Sequence, residues 1–121
     1  MPNPGISASP AVHLCYYHSL ADSNILRQIC LGLEEQGVPC RLQPCSHDDS
    51  ALAYARAAAA RSALQTGLGV NVNGEVVLTH QQYPADRALR RCSPGSSSAQ
   101  WRNIGANAGQ LVKVIPFSEA Q

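Results

Sequence analysis

Thr66-Gly-Leu-Gly-Val-Asn-Val-Asn-Gly-Glu-Val-Val-Leu-Thr79 reads as two β-rich runs joined by Asn73-Gly74. Asn-Gly between two such runs is a strong hairpin signal, because both residues tolerate the positive φ that tight turns demand. Strands over 66–72 and 75–79 are therefore expected to be antiparallel. The chain before them has a different rhythm. Val12-His-Leu-Cys-Tyr-Tyr17 has the short apolar and aromatic character of a buried strand. Asp22 or Ser23 can cap the helix that follows, in which Ile25, Leu26, Ile29, Cys30 and Leu33 recur on one face. Gly37 suits the position just past that helix, Pro39 prevents its continuation, and residues 39–43 read as a second strand.

Asp49 or Ser50 caps an Ala-rich helix expected to reach about Leu64. Beyond the hairpin, Tyr83-Pro84 breaks the chain and residues 88–92 suit one more strand. Gly95-Ser-Ser-Ser98 is a loop, and Ser97 or Ser98 caps a last helix over 99–112. The order β-α-β-α-β-β-(β)-α implies parallel neighbours joined by right-handed crossovers, to which the hairpin adds an antiparallel strand. The expected fold is a three-layer α/β domain with a mixed, mostly parallel sheet of four or five strands.

A chain of 121 residues is one domain and can bury about two-thirds of its unfolded surface without a disulfide or metal. We expect residues 1–11 to be a disordered tail and 12–117 the folded unit. The tail has neither the charged nor the apolar stretch of a signal peptide, and no run approaches membrane-spanning length. The net charge of +1 and the absence of a basic run argue against nucleic acid. Arg87, Arg90, Arg91 and Arg102 cluster in sequence, as a solvated loop or a phosphate site would. The odd count of five cysteines, at 15, 30, 40, 45 and 92, fits free thiols in a reducing cytosol.

Catalytic motifs are sparse. No Cys-x-x-Cys or paired-His spacing suits zinc, and a Cys/His nucleophilic pair could form only by long-range folding. Gly67-Leu-Gly69 lies within a strand and lacks the third glycine and helix opening of a dinucleotide site. There is no Walker-type loop, so any ATP chemistry belongs to another chain. Two local conflicts stand out instead. Gly105 and Gly109 lie one turn apart in the last helix, each costing about 1 kcal/mol relative to Ala. The usual return is close backbone approach, either to the chain's own sheet or to a partner. Glu34 and Glu35 fall in the last turn of the first helix, where the dipole disfavours them. They are either solvated acids or a carboxylate presented to a cation or to an arginine of another chain. Asn103 and Asn107 share a face and could bond a partner's backbone or stay wet.

Leu31-Gly-Leu-Glu-Glu-Gln-Gly-Val-Pro-Cys40 resembles the small subunit of the coenzyme-B12-dependent glycerol/diol dehydratase reactivase. So do Gly67-Leu-Gly69 with Gly74-Glu-Val-Val-Leu-Thr-His80, then Tyr83-Pro-Ala85, then Gly105-Ala-Asn-Ala-Gly-Gln-Leu-Val-Lys-Val-Ile-Pro116. The matches run in order over roughly residues 12–117. Pro44–Asp49 and Arg87–Ser98, with Cys45, Cys92 and the arginines, depart from that pattern. The resemblance implies a fold similar to the dehydratase medium subunit, and a non-catalytic chain that binds no cofactor alone. Its expected partner is a large ATPase subunit carrying ATP or ADP, with two copies of each, and transiently the dehydratase. Displacement of subunits would release damaged cobalamin from inactivated dehydratase. It further implies that Glu35, or Glu34 if the register is off by one, reaches an Mg2+ or Ca2+ held mostly by the large subunit. Glu34, Glu35, Asn103 and Asn107 are then the expected interface. The expected location is cytoplasmic, with or without enclosure in a bacterial microcompartment. The competing readings are a divergent medium-type subunit of the dehydratase and a stand-alone thiol enzyme.

Overall fold

The computed structural model describes residues 10–114. The elements are β1 (Val12–Tyr17), α1 (Asn24–Glu35), β2 (Cys40–Cys45), α2 (Ala51–Arg61), β3 (Thr66–Val70), β4 (Val76–His80), β5 (Arg90–Cys92) and α3 (Ser98–Val114). One sheet runs in the order β2-β1-β3-β4-β5. β1 pairs in parallel with β2 and β3, while β4 is antiparallel to β3 and β5. Only β4 therefore opposes the others, as the hairpin required. Chain direction across the sheet reverses after β2, so right-handed crossovers place α1 and α2 on opposite faces.

Alternation along the strands divides the core in two. Val12, Leu14 and Tyr16 of β1, Leu68 and Val70 of β3, and Val76 and Leu78 of β4 join Leu26, Ile29 and Leu33 of α1 and Ile104 and Ala108 of α3. On the other face Cys15 packs with Tyr54 and Ala58, and Val77 with Ala51 and Ala55. This second layer is thin because α2 presents alanines. β3 meets it with glycines: a Cβ at Gly67 would lie 2.3 Å from the Ala55 carbonyl oxygen, and one at Gly69 2.3 Å from that of Ala51. The Gly-x-Gly thus serves backbone contact between helix and sheet.

Local chemistry sets the element ends. Ser23 Oγ accepts from Leu26 N and Ser50 Oγ from Ala53 N, which fixes the caps of α1 and α2. Ser97 and Gln100 exchange hydrogen bonds in a capping box, and α3 extends to Val114, past the expected 112. α1 ends in a Schellman motif: Gly37 N bonds Glu34 O, Val38 N bonds Leu33 O, and Gly37 has φ +73. α2 stops at Arg61, short of Leu64. There Ser62, which is buried, donates from Oγ to Ala11 O at 2.6 Å and accepts from Leu64 N. Ala11 is only 2 % exposed, so the packed unit takes in a residue assigned to the tail. Residues 1–9 of that tail and the expected end at 115–117 lie outside the described residues, and Pro10 is exposed. The hairpin turn is wider than Asn73-Gly74 alone: Asn71 N bonds Glu75 O and Gly74 N bonds Asn71 O. Asn71 Oδ1 also accepts from Asn73 N and Glu75 N. This is a three-residue loop closed by a positive-φ Gly74.

His80, 8 % exposed at the end of β4, accepts from Gln82 N on Nδ1. Arg56 donates to its carbonyl oxygen. Burial holds its imidazole below the ordinary 6.5. The unfolded chain therefore takes up its proton first as pH falls, so this stabilisation is complete above about 6.5 and declines below it. His13 shifts the same way, through burial and then through Arg41 and Arg61. The urea midpoint is expected to fall between about pH 7.5 and about pH 5.5, and to fall less in His80→Gln. A midpoint that holds or rises on acidification contradicts this.

Candidate functional site

α1 and α3 lie side by side on one face of the sheet and run parallel. Their seam is tight because glycines face backbone. A Cβ at Gly105 would lie 2.1 Å from the Ile29 carbonyl oxygen, and one at Gly32 2.1 Å from that of Arg102. A Cβ at Gly109 would lie 2.6 Å from Gln36 Cβ. Within the chain, the close approach of the last helix's glycines is therefore to α1 and not to the sheet. Ile104 is buried beneath them, while Leu111 and Val112 are only half-buried.

Polar pairs line the outer rim of the seam. Asn24 donates to Ser98 Oγ at 2.8 Å, and Lys113 to Gln36 Oε1 at 3.0 Å. Arg102 donates from Nε and Nη2 to Gln28 Oε1, at 3.1 and 2.9 Å. Its remaining Nη1 lies 3.7 Å from Glu35 Oε2, with both side chains about half exposed, 46 % and 54 %. Such an open pair contributes at most about 1 kcal/mol. Glu35, Ala99, Arg102, Asn103 and Ala106 line an open groove of about 360 Å³.

The two glutamates part company here. Glu35 opens onto α3, whereas Glu34 lies on the flank toward β2, close enough to Cys30 and Cys40 to act on their charges. The two asparagines also separate. Asn103 shares the Glu35 groove, while Asn107 lines a more apolar one with Leu78, Leu89, Gln110 and Leu111. Gln28 was not legible as a site residue, and Arg102 only as a member of a basic cluster, since their pairing joins positions far apart in sequence. The arginine cluster does not converge: Arg87 lies 3.6 Å from Asp86, Arg91 pairs with Glu75, and Arg102 turns to α1.

Glu35 and Asn103 offer hard oxygen donors, the type Mg2+ and Ca2+ prefer. Two donors cannot complete such a shell, and among the described residues no three His, Cys, Asp or Glu side chains gather to hold a metal. A hard cation at this groove would need its remaining ligands from outside the described residues. No described helix is long and apolar enough to cross a membrane. Cys15 is buried beside Cys45, and burial pushes it up to about 11, with Cys45 adding to the effect. Burial also raises Cys92. Cys30, by contrast, lines a shallow groove with Ser23, Leu26, Arg27 and Leu42.

A two-faced α/β subunit with a glycine-seamed helix pair and one carboxylate at its open rim is the class defined here. The family model described as dehydratase medium subunit matches residues 9–118. The chain belongs to that family, among the small subunits of dehydratase-reactivating factors. It is 52% identical over 112 residues to a probable glycerol dehydratase-reactivating factor small subunit of Citrobacter freundii, covering 93% of this chain and 96% of that one. It is 31% identical over 116 residues to the diol dehydratase-reactivating factor small subunit of Klebsiella michiganensis, covering 95% and 89%. A solved glycerol dehydratase reactivase superposes with a TM-score of 0.83 at 42% identity, covering 89% of this chain and 96% of that chain. A diol dehydratase-reactivating factor complexed with ADP and Mg2+ gives 0.78 at 31% identity, covering 90% and 97%.

Proposed function

We propose that this chain is the non-catalytic, exchangeable subunit of a cytoplasmic reactivase for a B12-dependent glycerol or diol dehydratase. The α1–α3 face docks on a large ATPase subunit, two copies of each chain making the complex. ATP and ADP are bound by the large subunit. Glu35 contributes one oxygen to an Mg2+ or Ca2+ held mainly by that partner, and Asn103 hydrogen-bonds beside it. Glu34, on the other flank, and Asn107, in the neighbouring groove, take lesser parts.

The observation that carries this reading is the half-exposed Glu35 carboxylate, held among the described residues by a 3.7 Å pair to an arginine already committed to Gln28. It is free to turn outward at little cost. The ADP and Mg2+ of the diol relative support a nucleotide and a divalent cation in the assembly. Resemblance to the dehydratase medium subunit supplies the mechanism. Two subunits of similar shape compete for one surface on the large subunit, and nucleotide state biases the competition through differential affinity. When this chain leaves, the dehydratase medium subunit takes its place. Steric conflict then loosens the dehydratase, and damaged cobalamin escapes.

The test is a pull-down with tagged chain from cells that make the native partners, analysed by mass spectrometry. Recovery of a large ATPase-type subunit near equal stoichiometry is the expected result. Recovery of dehydratase subunits alone would instead favour a medium-type subunit of the enzyme.

A further inference from the structure

Gln28, Gly32 and Glu35 fall at i, i+4 and i+7 on α1 and so share one face. Arg102 of α3 is seated on the middle of that face. A Cβ at Gly32 would lie 2.1 Å from the Arg102 carbonyl oxygen and 2.7 Å from Ala106 N, so only a glycine lets the two backbones meet there. From that seat the Arg102 side chain reaches Gln28, one turn before Gly32, and approaches Glu35, one turn after it.

The two neighbours do not hold it equally. Gln28 Oε1 accepts two hydrogen bonds, from Nε at 3.1 Å and from Nη2 at 2.9 Å. Glu35 Oε2 stays 3.7 Å from Nη1. A charge-assisted bond would close to about 2.7–2.9 Å, and a guanidinium bonds a carboxylate more strongly than a neutral amide. The orientation of the amide reverses that preference. Gln28 donates from Nε2 to Asn24 Oδ1 at 3.1 Å, and Asn24 donates from Nδ2 to Ser98 Oγ at 2.8 Å. This relay runs along the α1–α3 seam and fixes Gln28 Oε1 toward the arginine.

We propose that Arg102 competes with a divalent cation for the Glu35 carboxylate, and that Gln28 weights the competition by holding the guanidinium back. This rests on the docking mode proposed above, in which Glu35 reaches a cation held mainly by the large subunit. In the undocked chain Arg102 is the counter-charge of Glu35. Glu35 leaves that pair when it turns outward, while Gln28 keeps Arg102 in place. Neither Arg102 nor Gln28 is a metal ligand: a guanidinium has no acceptor atom, and the Gln28 oxygen is already occupied. Both are positioning residues that act through Glu35. The cation concentration needed for docking is thereby set within this chain. A closer Arg102–Glu35 pair raises it, and loss of the pair lowers it.

The experiment measures the Kd of the full-length chain for the purified large subunit by titration calorimetry across a Mg2+ series. The readout is the Mg2+ concentration that gives half of the cation effect. Arg102→Met keeps the apolar stem and removes the charge, and this concentration is expected to fall by about threefold, as suits an open ion pair. Gln28→Leu frees the guanidinium to close on Glu35, and a rise of similar size is expected. The double variant is expected to match Arg102→Met, since no guanidinium remains for Gln28 to hold. Circular dichroism checks that each variant is folded. A midpoint that is unmoved in both single variants, or moves the same way in both, would overturn the proposal. So would a Kd that changes equally with and without Mg2+ in Arg102→Met, which would make Arg102 a direct contact of the partner. In either case the docking mode survives if Glu35→Gln still abolishes the Mg2+ effect. A Glu35→Gln chain with the parent's Mg2+ dependence would remove the docking mode and this proposal together.

Discussion

Replacing Gly105 with alanine is expected to destabilise the chain by about 3 kcal/mol or more. Helix propensity alone predicts the reverse, a gain of about 1 kcal/mol. Packing overrides it because the new Cβ would lie 2.1 Å from the Ile29 carbonyl oxygen and 2.9 Å from the Ile29 carbonyl carbon. These are backbone atoms and cannot turn aside as a flexible side chain can. α3 would have to move off α1, opening the core between Ile29, Leu33, Ile104 and Ala108. Urea unfolding monitored through Trp101 on α3 measures the effect. Gly109→Ala provides the comparison: its Cβ would lie 2.6 Å from Gln36 Cβ, a less severe overlap just past the end of α1, and a smaller loss is expected there. A Gly105→Ala chain as stable as the parent would mean that the seam is looser than described.

Glu35→Gln is expected to leave the isolated chain nearly as stable as before, within about 0.5 kcal/mol, because the pair with Arg102 is long and open. Under the proposed docking mode its effect appears on association. Removing a charge that completes a buried cation site at an interface costs about 2–5 kcal/mol, so the Kd for the large subunit should rise by about thirtyfold or more in Mg2+. With the cation chelated, the parent and variant should converge. Glu34→Gln, on the β2 flank, should stay near the parent in both conditions. Titration calorimetry of the two subunits provides the test. An equal Kd for parent and Glu35→Gln in Mg2+ would refute the metal role, and a large effect of Glu34→Gln would transfer it to that residue.

The elements were readable because their signals are local. Strand alternation, the apolar stripe of α1, the serine caps and the Asn-Gly turn each act within a few residues. The expected mixed sheet followed from their order and from the handedness of crossovers. Boundaries slipped where tertiary contacts intervened. α2 stops early because Ser62 turns to Ala11, and the hairpin loop widens because Asn71 bonds across its base. Gly67 and Gly69 were recognisable as unfit for a nucleotide, though their use as a seat for α2 required seeing the alanines opposite.

The amino-acid sequence by itself determined the element order, the direction of the odd strand, the two acids at the end of α1 and the family. Only the tertiary structure decided which acid faces α3 and which helix the glycines serve. Adjacent helix residues differ by about 100° in direction, so Glu34 and Glu35 are distinguished only when the helix is seated on its sheet. Seating depends on contacts between residues far apart in the chain, such as Ile29 with Gly105 and Gln28 with Arg102, and no local pattern encodes those.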